Sequence, residues 1–227
     1  MKKTLILALA DRNPILADVL DQNYRSRGFR VVRSSAEKKE DVISFFDQLE
    51  ETAELICIYF PYPVYEISIF DESFIDNMAD SLDKGLYAGT WWIQQSAGFV
   101  KSKKITGNVI ILNHAASVVP TQRYSYCSIP EAALTNLGKV AAMDTADELD
   151  FRVNFVTYGW YNGDDNEMAF LEELMNLHKG SKAPILEVVN ADEIAMTCLA
   201  AESLKGMNGN NLFVDKGFTI SRTIRQL

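Results

Sequence analysis

Thr4-Leu5-Ile6-Leu7-Ala8-Leu9 is a short, unbroken apolar run, and Ile15–Arg27 behind it carries apolar residues at helical spacing. Gly28 follows the last turn, where glycine commonly closes a helix, and Arg30-Val31-Val32 opens a second strand-like run. Strand, helix and strand in this order form the first unit of a parallel sheet. The same alternation continues outward along the chain.

Glu40–Glu51 reads as an amphipathic helix with Val42, Phe45, Phe46 and Leu49 on one face. Leu55–Phe60 is a third strand, ended by Pro61 and Pro63. Phe74–Val100 is a long helical stretch interrupted by Gly85 and Gly89. Asn108–Leu112 reads as a strand, Pro130–Leu149 as a helix and Phe151–Val156 as a strand. Asp164–His178 is helical and acidic, with His178 placed to suit the helix dipole. Ala191–Lys205 is a helix starting at Asn190 or Asp192, and Leu212–Val214 is a last short strand. The prediction is one α/β domain over residues 1–227: a doubly wound, Rossmann-like parallel sheet of about six strands, covered on both faces.

The net charge of −9 argues against nucleic acid and against an anionic membrane surface, because both recruit Lys and Arg. No apolar stretch is long enough to span a bilayer. Cys57, Cys127 and Cys198 are few and odd in number, which suits reduced thiols in a cytoplasm. The apolar start ends at Asp11-Arg12, too early for a secretory signal, so a buried strand is expected there.

Five segments in register resemble the short-chain dehydrogenase/reductase family. Gly107–Asn113 is similar to the strand leading to the family's catalytic serine, and Ala132–Leu137 to the helix after its catalytic lysine. Glu148–Asn154, with Arg152-Val153-Asn154, is similar to the turn into the next strand. Asp192–Ala195 and Gly209–Gly217 are similar to the final helix and strand. The resemblance implies one further strand and helix between the second strand and Leu55; the chain is shortened there.

The resemblance also locates the positions that carry the family's chemistry. A dinucleotide needs a glycine turn after the first strand, so that bare backbone and helix N–H groups meet the pyrophosphate. The pattern Thr-Gly-x-x-x-Gly-x-Gly falls with Asp11, Ile15 and Ala17 at the glycines. A carboxylate roughly 4 Å from a phosphate charge costs about 4 kcal/mol at an effective dielectric of about 20. Arg12 and Arg33 are read as surface residues. The family's base is a tyrosinate whose pKa is lowered by the lysine of Tyr-x-x-x-Lys. Here the tyrosine position holds Cys127, the lysine Glu131, the serine His114 and the asparagine Gly85. Tyr124 and Tyr126 lie nearby, but Ser128 and Pro130 stand four residues after them, so a shifted register does not restore the motif.

His114, Cys127 and Glu131 could instead converge as an activated thiol or a metal site. The leading expectation is a non-catalytic subunit that binds no cofactor and assembles with an active paralogue of the same family. That paralogue would be an NAD-dependent alcohol or hydroxyacyl-CoA-type dehydrogenase. Assembly, or self-association, is expected through helices 74–100 and 130–149, with one of Trp91 and Trp92 facing the core and the other the partner. Two alternatives stand beside it: an atypical NAD(P)-dependent oxidoreductase, and a small-molecule-binding regulator that uses the vacated cleft.

Overall fold

The computed structural model describes residues 2–61, 68–119, 124–163, 168–169 and 188–219. Pro63, the acidic segment Asp164–His178 beyond its two described positions, and His178 itself lie outside them.

Six strands form the sheet: β1 (Thr4–Ala8), β2 (Arg30–Ser34), β3 (Glu54–Tyr59), β4 (Thr106–His114), β5 (Phe151–Tyr158) and β6 (Asn211–Val214). All pair in parallel, in the order β2-β1-β3-β4-β5-β6. Every residue of β1, β3 and β5 is buried, as a sheet covered on both faces requires. Helices α1 (Pro14–Ser26) and α6 (Ala191–Ser203) pack together on one face; α2 (Lys39–Asp47), α4 (Ala88–Lys103) and α5 (Ser125–Thr145) cover the other. A shorter helix, α3 (Phe74–Ser81), precedes α4.

Local signals set several boundaries. Gly28 sits at φ 84° just past α1, a left-handed conformation that glycine adopts without strain. Asn190 caps α6 and Glu193 reaches back to it, a reciprocal capping box that decides between the two expected starts. Gly89 lets α4 meet α5 closely, since a Cβ there would lie 2.5 Å from the Leu134 side chain.

Arg152 and Asn154 of the Arg-Val-Asn stretch fasten the far end of the sheet. Arg152 donates to the carbonyls of Glu202 (3.1 Å), Leu204 (3.0 Å) and Met207 (3.3 Å). Asn154 donates to Met207 O at 3.0 Å and accepts from Asn210 N–H at 3.3 Å. These side chains satisfy backbone groups between α6 and β6 beyond those that its own turns pair.

The shortening is visible at the opposite edge. β2 ends the sheet, and α2 is the one helix between it and β3. Arg30, Val32 and Ser34 turn their backbone toward β1, so the backbone groups of the buried Val31 face the open edge, and the Arg25 guanidinium donates to its carbonyl at 3.2 Å. A charged cap of this kind discourages pairing at an open edge. Trp92 fills the space behind: it is fully buried, its ring lies 5.3 Å from Phe45 and 5.6 Å from Phe46, and its Nε1–H donates to Ala36 O at 3.0 Å. Trp91 is half-buried with Lys39 Nζ 5.3 Å from its ring centroid, so it faces the start of α2 rather than open surface.

One expected boundary is wrong. Pro130 does not begin a helix; α5 begins at Ser125 and Pro130 lies within it. Proline removes the N–H that would bind the carbonyl four residues back. That carbonyl, on Tyr126, instead accepts the hydroxyl of Ser81.

Candidate functional site

In a doubly wound sheet, ligands bind beyond the carboxyl ends of the strands, where the strand order reverses. Here the reversal lies between β1 and β3. The chain leaves β1 through Leu9, which is left-handed at φ 62° with no glycine to ease it. A single 3-10 turn, Ala10–Arg12, follows, and Asn13 caps α1 by accepting from Leu16 N–H at 3.1 Å. Asp11 is exposed, Ile15 is 53% exposed and Ala17 is fully buried.

Arg12 is not a surface residue, contrary to the sequence reading; its side chain is 5% exposed. The guanidinium crosses the switch point. It donates to Phe60 O (3.1 Å) at the end of β3, to Tyr59 Oη (3.3 Å) and to Lys84 O (2.8 Å), and it pairs with Glu37 at 3.0 Å. The Tyr59 ring lies under it at 5.8 Å. Burial raises the Tyr59 pKa against the pull of Arg12, and its hydroxyl donates to Gly85 O at 2.8 Å, so it is no tyrosinate base. Arg33 is a surface residue as expected, paired with Asp18 and Asp21. Sequence reasoning missed Arg12, Tyr59 and Glu37 as a group; the one available signal was a cation inside the glycine loop.

Gly85 lies in a π-helical turn, Leu82–Tyr87, that joins α3 to α4. A Cβ there would stand 3.0 Å from Pro130 Cβ. A side chain at the position expected to carry the family's asparagine would therefore crowd Pro130.

His114 ends β4 and Glu131 lies on α5, and the structure brings them together. Glu131 Oε2 accepts the His114 backbone N–H at 2.7 Å, and both residues are buried. His114 Nδ1 accepts from Ala116 N–H at 3.1 Å, which leaves the proton of the neutral ring on Nε2. Burial pushes the His114 pKa down to about 3. Burial also raises the Glu131 pKa well above the carboxylate range, although the His114 N–H opposes it. Among the described residues the Glu131 Oε1 atom has no hydrogen-bond partner. Cys127 lies one helical turn before Glu131, buried, with its thiol toward Tyr124 O at 3.4 Å. It packs with Ala115, Ala116, Tyr124, Trp160 and Phe218. The His114 ring stacks on Tyr124 at 5.6 Å and meets Trp160 edge-on at 5.2 Å. Among the described residues no three His, Cys, Asp or Glu side chains gather as a metal set.

The two neutral groups give the fold a characteristic pH response. The folded state holds the His114 proton less tightly than the unfolded chain, so that contribution is complete above about pH 6.5 and falls as pH drops toward 3. It holds the Glu131 proton more tightly, so that contribution is complete below about pH 4.5 and falls as pH rises toward the raised pKa. The slopes cancel between these limits. Above pH 6.5, of these two contributions only that of Glu131 still changes, and stability falls as pH rises toward its raised pKa. Glu131→Gln is expected to flatten the stability profile from pH 6.5 to 8, measured by urea unfolding. A variant that loses stability as steeply as the parent over that range contradicts this assignment.

Comparison with known proteins agrees with the fold. A sequence model of the family described as enoyl-(acyl carrier protein) reductase matches residues 5–219. No curated protein matches the chain. Among solved structures it is similar to a small-chain dehydrogenase in complex with NADPH: TM-score 0.76, 18% identity, covering 97% of this chain and 100% of that one. It is similar to ElxO with NADP bound: TM-score 0.79, 12% identity, with the same 97% and 100% coverage. It is also similar to sorbitol-6-phosphate 2-dehydrogenase SrlD from Erwinia amylovora: TM-score 0.80, 13% identity, covering 94% and 98%. With the family match spanning nearly the whole chain, this protein belongs to the short-chain dehydrogenase/reductase family.

Proposed function

We propose that the chain is a non-catalytic subunit that assembles with an active dehydrogenase of its own family, of the alcohol or hydroxyacyl-CoA type. The observation that carries this reading is the Arg12 guanidinium, buried across the switch point and bonded on both of its walls. A dinucleotide needs that space and a backbone cradle beside it. The loop offers Asp11, Ile15 and Ala17 at the positions where the resemblance expects glycines. The residues present do not fit the coenzyme, and no reaction step is assigned to it.

The reacting positions support the same conclusion. Hydride transfer in this family needs a base made acidic by a neighbouring cation. A neutral imidazole, a buried thiol and a buried carboxyl supply neither. Glu131 instead ties α5 to β4, so a catalytic position has become a structural one.

The partner is proposed to dock on the stretch 74–100, which holds α3 and most of α4, and on residues 130–149, which hold most of α5. Tyr87, Val140 and Met143 stand exposed there, Met143 at 77%. Co-expression with same-organism dehydrogenases that retain Tyr-x-x-x-Lys is expected to yield a mixed complex by native mass spectrometry. A homo-oligomer that excludes every such dehydrogenase contradicts the proposal.

A further inference from the structure

The stretch from Phe74 to Lys103 is one helix interrupted by the π-turn Leu82–Tyr87. A π-turn accommodates one extra residue and misaligns its carbonyls; such turns are rare and frequently occur at functional sites. Two side chains from the sheet hold this one. Arg12 donates to Lys84 O at 2.8 Å. Tyr59 donates to Gly85 O at 2.8 Å and lies 3.2 Å from Lys84 O. From the other side Pro130 lies close against Gly85, 3.0 Å from where a Cβ would stand, so a side chain there would crowd it.

The same guanidinium therefore serves two structures at once. Its contacts reach Glu37, the end of β3 and the π-turn. We propose that Arg12 is a latch: while it spans the crevice the π-turn is held and the crevice is shut. When it withdraws, the crevice opens and residues 82–87 relax toward α-helical register. Loss of one residue from a turn rotates what precedes it by about 100°. Helix α3 would then turn against α4 and against α5, to which Tyr126 now joins it through Asp80 at 2.9 Å. Glu37, 38% exposed, is the member of the latch that solvent reaches most easily. Arg12 is a positioning residue in this scheme. The scheme does not depend on the non-catalytic reading, since a chain that did admit a coenzyme would also have to open the latch.

Hydrogen exchange with mass-spectrometric readout tests this on the full chain. Arg12→Met keeps the apolar stem and removes the donors. The amides of residues 82–89 are expected to exchange about tenfold faster or more, while β4 and β5 keep their protection. Arg12→Lys, which retains one cationic donor, is expected to recover part of the protection at 82–89. Unchanged exchange at 82–89 overturns the latch, and so does acceleration shared equally by β4 and β5, which reports general loosening. If Arg12→Met does not fold, Tyr59→Phe removes the donor to Gly85 O and leaves Arg12 in place. A smaller acceleration confined to 82–89 is then expected, and its absence overturns the proposal.

Discussion

Glu131→Lys, which introduces the residue type that the family resemblance implies for this position, is expected to destabilise the fold by about 4 kcal/mol, a fall of roughly 8–16 °C in Tm for a chain of this size. Glu131 is 5% exposed, and its Oε2 accepts the His114 N–H. An ammonium accepts nothing, so the substitution buries a charge and orphans a buried donor together. Glu131→Gln keeps an acceptor for that N–H and is expected to stay within about 1 kcal/mol of the parent at pH 5. Thermal unfolding at pH 5 checks both. A Lys variant as stable as the parent would mean that the pocket still accommodates the family's cation, and that the tie to His114 is incidental.

Trp92→Ala is the second large effect, at about 4 kcal/mol in urea unfolding. The indole is fully buried against the Phe45 and Phe46 rings of α2, so its removal leaves a large cavity. Trp92→Phe retains most of the apolar contact but leaves Ala36 O without its donor, and is expected to cost about 1–2 kcal/mol. The comparison matters because Trp92 braces the shortened part of the sheet. A loss below about 1 kcal/mol for the Ala variant would show that β2 and α2 are held by other contacts.

The order of elements was legible because it rests on local patterns. Apolar runs, the Gly28 stop and the Asn190 cap each specify their element within a few residues. The shortening after β2 was legible by counting, and the edge position of β2 agrees with it. What escaped the sequence depends on partners far along the chain. Pro130 signals a helix start by local rules, but Ser81, on another helix, meets the carbonyl that proline leaves open. Gly85 marks a break, yet the π-turn is held by Arg12 and Tyr59. Arg12 has the composition of a surface residue, and its burial follows from where Tyr59, Lys84 and Glu37 come together. At the chemical positions the sequence named His114, Cys127 and Glu131 but could not foresee that a backbone N–H would join the first to the last.

The account turns on whether the crevice between β1 and β3 admits a coenzyme while Arg12 lies across it. Calorimetric titration of the purified chain with NADPH and with NADH measures that directly. The expected result is no saturable heat up to about 1 mM of either. Saturable binding with a dissociation constant of about 10 μM or tighter would contradict it and return the chain to the active dehydrogenases.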